Sequence, residues 1–213
     1  MPPAWLEPPV QFSATEFSQT ATGASEFQAA TVQIVIASRA LPAGYFSAHP
    51  TRLFVLDGLR THGRDATGAV WAEGRSVFVV NADDEELARR FHIQLGHLIF
   101  RTHQTSFPTK AWLRANPPGF KYTGNTDRAS EDGVTMWALL STQRGLYAGY
   151  GPRDIETDAA LFFAALLSKD PEFETARQQH RFIDTKARLL IGFLGSVHPG
   201  FTPEWFGAVE ATP

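Results

Sequence analysis

Short runs of apolar residues in the first part of the chain predict β-strands. Residues 31–38 and 51–57 are rich in Val, Ile, Leu and Phe, and β-branched and aromatic side chains favour extended backbone. Residues 68–71 and 76–80 have the same character, and the four residues between them suit a hairpin turn. We therefore expect four strands, two of them joined as a hairpin.

After Val80 the apolar residues follow a helical period. Residues 81–86 (NADDEE) supply a capping residue and first-turn acids for a helix that runs to about His103. Apolar residues lie on opposite sides of this helix, so we expect it to be buried on more than one side, at the centre of the fold.

Later residues predict further helices and one irregular connection. The Pro- and Gly-rich residues 106–133 predict the irregular connection. Helices are expected over residues 134–143, 156–168 and 171–194, the last long enough to be broken. Strands first and helices after predict an α+β fold, with the sheet and the helices partly segregated.

Residues 1–30 contain several prolines followed by Ser, Thr, Ala and Gly, which predict an extended arm. The remaining residues, 31–213, are expected to form one domain, because a chain of 213 residues with 43% hydrophobic composition can bury a full-sized core.

Composition and charge argue against several classes of function. A net charge of −3 without a basic cluster argues against nucleic acid and anionic membranes as partners. No apolar run approaches the roughly 18 residues of a membrane span, and the start lacks a classical export signal. We therefore expect a cytoplasmic protein, or one exported without a classical signal peptide. The absence of cysteine excludes disulfides, thiolate nucleophiles and Cys-based zinc sites.

Three histidines on the central predicted helix are the first candidates for chemistry. His92 and His97 point about 140° apart around the helix axis, and His92 and His103 are separated by roughly 16 Å along it. The three imidazoles therefore cannot hold one ion. We expect His92 and His103 to be ordinary surface or half-buried side chains.

His97 is the last residue of a segment that resembles an altered zinc-peptidase motif. The motif His-Glu-x-x-His places two zinc-binding imidazoles on one helix face, with a glutamate that handles the proton of the attacking water. Residues 93–97 read Ile-Gln-Leu-Gly-His, so Ile93 replaces the first histidine and Gln94 replaces the glutamate.

The segments around this helix occur in a recognisable order. Residues 53–58, 67–71 and 76–80 precede it, and Gly149-Tyr150-Gly151 and then residues 158–165 (DAALFFAA) follow it. In this order, over roughly residues 31–195, the chain resembles the anthrax-lethal-factor-like zinc metalloproteases. The resemblance implies a zincin-like fold, with a mixed sheet packed on a buried central helix and a helical C-terminal half.

The resemblance also implies that this chain lacks most of the family's zinc-binding and catalytic side chains. A glutamate of this family that binds zinc corresponds to Leu161, and a second family glutamate corresponds to Ala165, which leaves only His97 and Tyr150 of the functional set. One imidazole holds zinc poorly, and the neutral amide of Gln94 cannot take a proton from water. We therefore expect no zinc, no other cofactor and no peptidase activity, with Ile93 and Leu161 filling the former metal position.

The leading functional hypothesis is a pseudoenzyme that binds a protein or an extended peptide in the former substrate groove. The groove would lie between the hairpin of Trp71 and the helix of His97, with Gln94 and Tyr150 also lining it, and the partner would add a strand to the sheet edge. Lethal-factor-like toxins also use a metal-free copy of their fold to dock onto a translocation pore, which suggests a protein partner by analogy.

Two alternatives remain open. In one, the pocket serves another reaction, with His97 and Tyr150 as acid and base on a small molecule or modified peptide. In the other, a metal persists through His97 with His180 or His198. The sequence sets no oligomeric state.

Overall fold

The computed structural model describes residues 18–21, 23–61, 64–116, 118–122, 154–169 and 171–208. The first elements are β1 (Ser18–Ala21), α1 (Ala24–Ser38), α2 (Tyr45–Ala48), β2 (Arg52–Thr61), β3 (Arg64–Asp65), β4 (Gly68–Trp71) and β5 (Ser76–Val80). The later elements are α3 (Asp84–Thr102), a 3-10 turn (Gln104–Ser106), α4 (Thr109–Arg114), α5 (Ile155–Ser168), α6 (Pro171–Gln179), α7 (Arg181–Val197) and α8 (Pro203–Ala208).

The described strands form one mixed sheet. Its order is β1-β2-β5-β4, with β3 paired to β2, and only the β2–β5 pair is parallel. The predicted hairpin is confirmed, because β4 and β5 pair antiparallel from Gly68 opposite Val79 to Trp71 opposite Ser76. Among the described strands, β4 therefore lies at one edge of the sheet.

Helix α3 lies at the centre of the fold, as predicted. Its N-cap is Asp83, whose side chain accepts a hydrogen bond of 3.0 Å from the backbone N–H of Glu86. The helix packs against α1, α5 and the strands β4 and β5. Leu95 and Leu98 are fully buried, so this helix organises the core.

The prediction of a strand over residues 31–38 is wrong. These residues form the second half of α1, and residues 24–30, assigned to the extended arm, form its first turns. Ala30, Ile34 and Ala37 recur at helical spacing and are buried, and α1 packs on α3. Burial of this face therefore outweighs the preference of β-branched residues for strands.

Other predictions have mixed outcomes. Helix α5 is confirmed, and the stretch after residue 170 is indeed broken, into α6 and α7 at His180. The connection predicted over residues 106–133 contains α4, which the sequence reading missed. The helix predicted over residues 134–143 lies outside the described residues. The α+β class is confirmed, although α1 and α2 come before most of the sheet.

In the part of the chain that the structure describes, none of the helices combines the length and the apolar character needed to cross a membrane.

Candidate functional site

The site is built where α3 crosses α5. At Gly96, a Cβ atom would lie 2.9 Å from the Cα of Ala160 and 3.1 Å from a ring carbon of Phe163. Only a glycine leaves room for this approach of the two helices. The close crossing brings His97, the next residue of α3, against the first turn of α5.

His97, Glu156 and Arg101 form a polar cluster at this crossing. The distance from His97 Nδ1 to Glu156 Oε1 is 2.7 Å, and the Nε atom of Arg101 lies 2.7 Å from the same oxygen. Arg101 also donates through Nη1 to the backbone oxygen of Val70, at 3.3 Å. The cluster thus joins α3, α5 and the edge strand β4.

The electrostatics of the cluster favour an ionised Glu156. Burial raises the pKa of this carboxyl, but the hydrogen bond and charge of His97, together with Arg101, outweigh burial and leave the pKa below its usual value. The side chain of His97 is 14% exposed, so its ring is sheltered but reachable. With Nδ1 held by Glu156, Nε2 is the ring nitrogen that can meet a ligand.

Gln94, which the sequence analysis predicts to replace a general base, lies beneath β4. A Cβ atom on Gly68 would lie 2.6 Å from Cγ and 2.8 Å from Cδ of Gln94, so the two residues are in direct contact. Gln94 is 8% exposed and packs between the central helix and the edge strand. The helix face of the sequence motif is therefore the face that meets the sheet edge.

The pairing of β4 determines which of its backbone groups point outward. The N–H of Val80 donates to the oxygen of Thr67 at 3.0 Å, so this pair is a hydrogen-bonded pair of the ladder. Because such pairs alternate in an antiparallel ladder, the backbone groups of Gly68 and Val70 point away from β5. The bond from Arg101 to the oxygen of Val70 agrees with this direction.

The two residues predicted to replace zinc ligands, Ile93 and Leu161, do not fit a metal site. Ile93 and Leu161 are half-buried on α3 and α5, and their hydrocarbon side chains cannot bind a metal. Within the described ranges, no three or more His, Asp and Glu side chains are grouped so that they could hold an ion. The alternative in which His198 joins His97 is not supported, since His198 packs against Tyr45 and His49.

Trp71, one of the residues predicted to line the groove, lies apart from this cluster. Trp71 belongs with Phe78 and Leu56 on the face of the sheet opposite α3, whereas its neighbour Val70 packs with the α3 core. The ring of Trp71 covers the hairpin turn at Gly74. The side chains of Trp71 and His97 are therefore on different faces, and Tyr150 lies outside the described residues.

Glu156 and Arg101 were missed as site residues. Arg101 follows His97 by four residues and so shares its helix face, which is a signal that the sequence does contain. Glu156 reads as an ordinary first-turn acid of α5, and its contact with His97 spans 59 positions. Only the packing of α3 on α5 reveals that contact.

Comparison of the chain with protein-family models, with curated proteins and with solved structures found no match.

Proposed function

We propose that this protein is a metal-independent binding module with a zincin-like arrangement, which holds an extended segment of another protein along the outward side of β4, the edge strand among the described residues. The observation that carries the proposal is the outward direction of the backbone groups of Gly68 and Val70, directly above Gln94 on the central helix. Main-chain hydrogen bonds to such an edge supply affinity, and neighbouring side chains supply selectivity.

The chemistry of the helix face supports binding rather than peptide hydrolysis. Ile93 and Leu161 stand where the lethal-factor-like enzymes carry zinc ligands, and Gln94 stands where they carry the general base. A neutral amide does not accept a proton from water at ordinary pH. Gln94 can still donate and accept hydrogen bonds, which suits recognition of a peptide backbone.

Hydrogen exchange with linear peptides tests the proposal. Peptides selected on the protein from a phage-displayed library of random linear sequences would be titrated into labelled protein, and amide exchange would be followed by NMR. The amides of Gly68 and Val70 are expected to gain protection on binding. Those of Ala69 and Trp71, which face β5, serve as internal references. Selected peptides that protect neither outward amide would contradict strand addition at β4.

Two variants at Val70 distinguish binding through the backbone of the edge strand from binding through the side chain. Val70→Pro removes an outward N–H without removing a bond of the β4–β5 ladder, whereas Val70→Ala shortens the side chain and keeps the N–H. We expect peptide binding to be lost in the proline variant and retained in the alanine variant. Equal affinities in two folded variants would argue against the proposed mode.

One observation favours a second candidate function, an acid–base enzyme. A histidine whose Nδ1 is held by a carboxylate has a fixed orientation, and its Nε2 can move a proton. His97 and Glu156 have this relationship. A panel of chromogenic esters and amides tests it. Turnover that His97→Gln abolishes and Glu156→Gln weakens would support an enzyme, and no turnover by the folded wild-type protein would count against it.

A further inference from the structure

The side-chain amide of Gln94 is a nearly enclosed polar group that makes no hydrogen bond to any described residue. Gln94 is 8% exposed, so a small part of its surface still reaches solvent. Polar groups in such places usually have a partner, because enclosing them unpaired costs free energy. The amide of Gln94 therefore has an acceptor and two donors available for a ligand.

Gln94 occupies the space that a side chain on Gly68 would fill. A Cβ atom on Gly68 would lie 2.6 Å from Cγ and 2.8 Å from Cδ of Gln94. Gly68 shares its face of the sheet with Val70, two residues further along β4, and Val70 packs in the core with α3. At this position of β4, the side chain on the α3 face is therefore that of Gln94, since the strand itself supplies none.

A strand added beside β4 would bring one of its side chains to Gln94. Neighbouring strands lie about 4.8 Å apart, and residues directly opposite each other point to the same face. The residue opposite Gly68 would thus have its Cβ about 5 Å from the place that Gln94 occupies, which a short side chain can bridge with a hydrogen bond. Because the outward groups of Gly68 and Val70 take up the backbone of the added strand, the group left for Gln94 is a side chain.

The type of that side chain follows from the amide of Gln94. An added strand would cover the edge of β4 and separate the amide further from water. An apolar side chain opposite Gly68 would leave the amide without a partner, and a charged one would lose its hydration for a neutral partner. A second carboxamide offers a donor and an acceptor in one plane, so it can pair with both atoms of the Gln94 amide at once.

We propose that Gln94 is a specificity-determining residue of the β4 edge, which selects a segment that carries Asn or Gln opposite Gly68. The inference rests on the proposed strand addition at β4 and adds the side chain by which the partner is recognised. The residues on either side of this Asn or Gln point to the opposite face of the sheet, where Ala69 and Trp71 lie. The required carboxamide therefore belongs to a single position of the bound segment.

Peptides selected from the phage-displayed library of random linear sequences test the choice of side chain. Cross-strand NMR contacts to Gly68 identify the peptide residue that lies opposite it. That residue is expected to be Asn or Gln in most selected peptides. A synthetic peptide in which Leu replaces it should bind the wild-type protein about tenfold more weakly, because the Gln94 amide is then enclosed without a partner. Equal affinities of the two peptides would overturn the inference.

Variants of Gln94 should change which peptides are selected. Gln94→Leu should shift the preference opposite Gly68 to apolar residues, and Gln94→Glu should shift it to Lys or Arg. Gln33→Leu is the matched control, because it removes a glutamine of α1 whose amide donates to Asp84 at 2.7 Å. The control should select the same peptides as the wild-type protein. A preference for Asn or Gln that persists in folded Gln94→Leu would contradict the role of Gln94.

Amide exchange separates this inference from strand addition itself. Selected peptides that protect the amides of Gly68 and Val70 but show no preference for Asn or Gln would remove the role of Gln94 and leave strand addition standing. Peptides that protect neither amide would overturn both. If Gln94→Leu does not fold, the comparison of the two synthetic peptides still decides, because it uses the wild-type protein.

Discussion

Lys186 and Asp158 form an ion pair in the interior, with 2.5 Å between Nζ and Oδ2. Asp158 is fully buried and Lys186 is 5% exposed. Trp112 Nε1 and Tyr122 OH donate to the same carboxylate oxygen, at 2.9 Å and 2.8 Å. The ammonium group lies 5.1 to 5.9 Å from the centroids of four aromatic rings, those of Trp112, Phe120, Tyr122 and Phe162. This pair therefore ties α4 and α7 to α5.

Removing one partner of this pair should destabilise the protein strongly. Lys186→Met leaves a carboxylate buried without its cation, which typically costs about 3–5 kcal/mol. The double variant Lys186→Met/Asp158→Asn removes both charges and keeps an acceptor for Trp112 and Tyr122, so we expect it to recover much of the loss. Urea unfolding measures both. A single-variant loss below about 1 kcal/mol is typical of exposed pairs and would contradict burial of this one.

The crossing of α3 and α5 should tolerate no side chain at Gly96. Gly96→Ala places a methyl group 2.9 Å from the Cα of Ala160, and we expect a loss of about 1–3 kcal/mol in the free energy of unfolding. Gly192→Ala in α7 is the matched control, because nothing lies within 4 Å of its Cβ position. The control should gain up to about 1 kcal/mol from helix propensity. Equal effects of the two substitutions would mean that the helices are not in close contact at Gly96.

The elements that the sequence predicts correctly are those whose signal is local. The capping acids before α3, the spacing of Leu87, Phe91 and Leu95, and the four-residue turn before β5 each carry enough information to predict an element. Residues 31–38 form a helix although their β-branched composition favours a strand, because the decisive factor is the packing of Ile34 and Ala37 in the core with α3.

The candidate site was predictable in part for the same reason. His97 and Gln94 were identified from a motif within five residues, and the structure places both of them where α3 meets other elements. The parallel pairing of β2 with β5 and the bond from His97 to Glu156 join positions far apart in the chain. Pairings of this kind depend on the whole fold, and no local pattern encodes them.

His92 is buried, contrary to the expectation of a surface or half-buried side chain, and should make the protein sensitive to acid. Burial lowers its pKa from 6.5 to about 4, although a hydrogen bond of 3.0 Å between Nε2 and the backbone oxygen of Ala37 acts in the opposite direction. Because the unfolded chain binds the proton more readily, this contribution is fully present above pH 6.5 and is lost as the pH falls towards 4. The shift corresponds to about 3 kcal/mol.

The replacement His92→Gln keeps a donor for Ala37 and removes the titration. Urea unfolding of wild-type protein at a series of pH values should therefore show a steeper loss of stability below pH 6.5 than the glutamine variant shows. Parallel curves for the two proteins would indicate that His92 is not buried as a neutral imidazole.

A zinc site should form if two metal-binding side chains are introduced at the positions where the sequence analysis predicts lost ligands. Ile93→His and Leu161→Glu, together with the native His97, would recreate a His, His, Glu ligand set if the three positions converge as in a zincin. Glu156 would then hold Nδ1 of His97 and leave Nε2 for the metal, an arrangement in which a carboxylate orients a zinc-bound imidazole. We expect the double variant to retain stoichiometric zinc after dialysis and to unfold at a higher temperature with zinc present.

The same variant carrying His97→Ala is the control and should bind zinc at least about tenfold more weakly, since one of three ligands is gone. A folded double variant that binds no more zinc than this control would show that α3 and α5 do not bring the three positions together, and the zincin-like part of the proposal would fail.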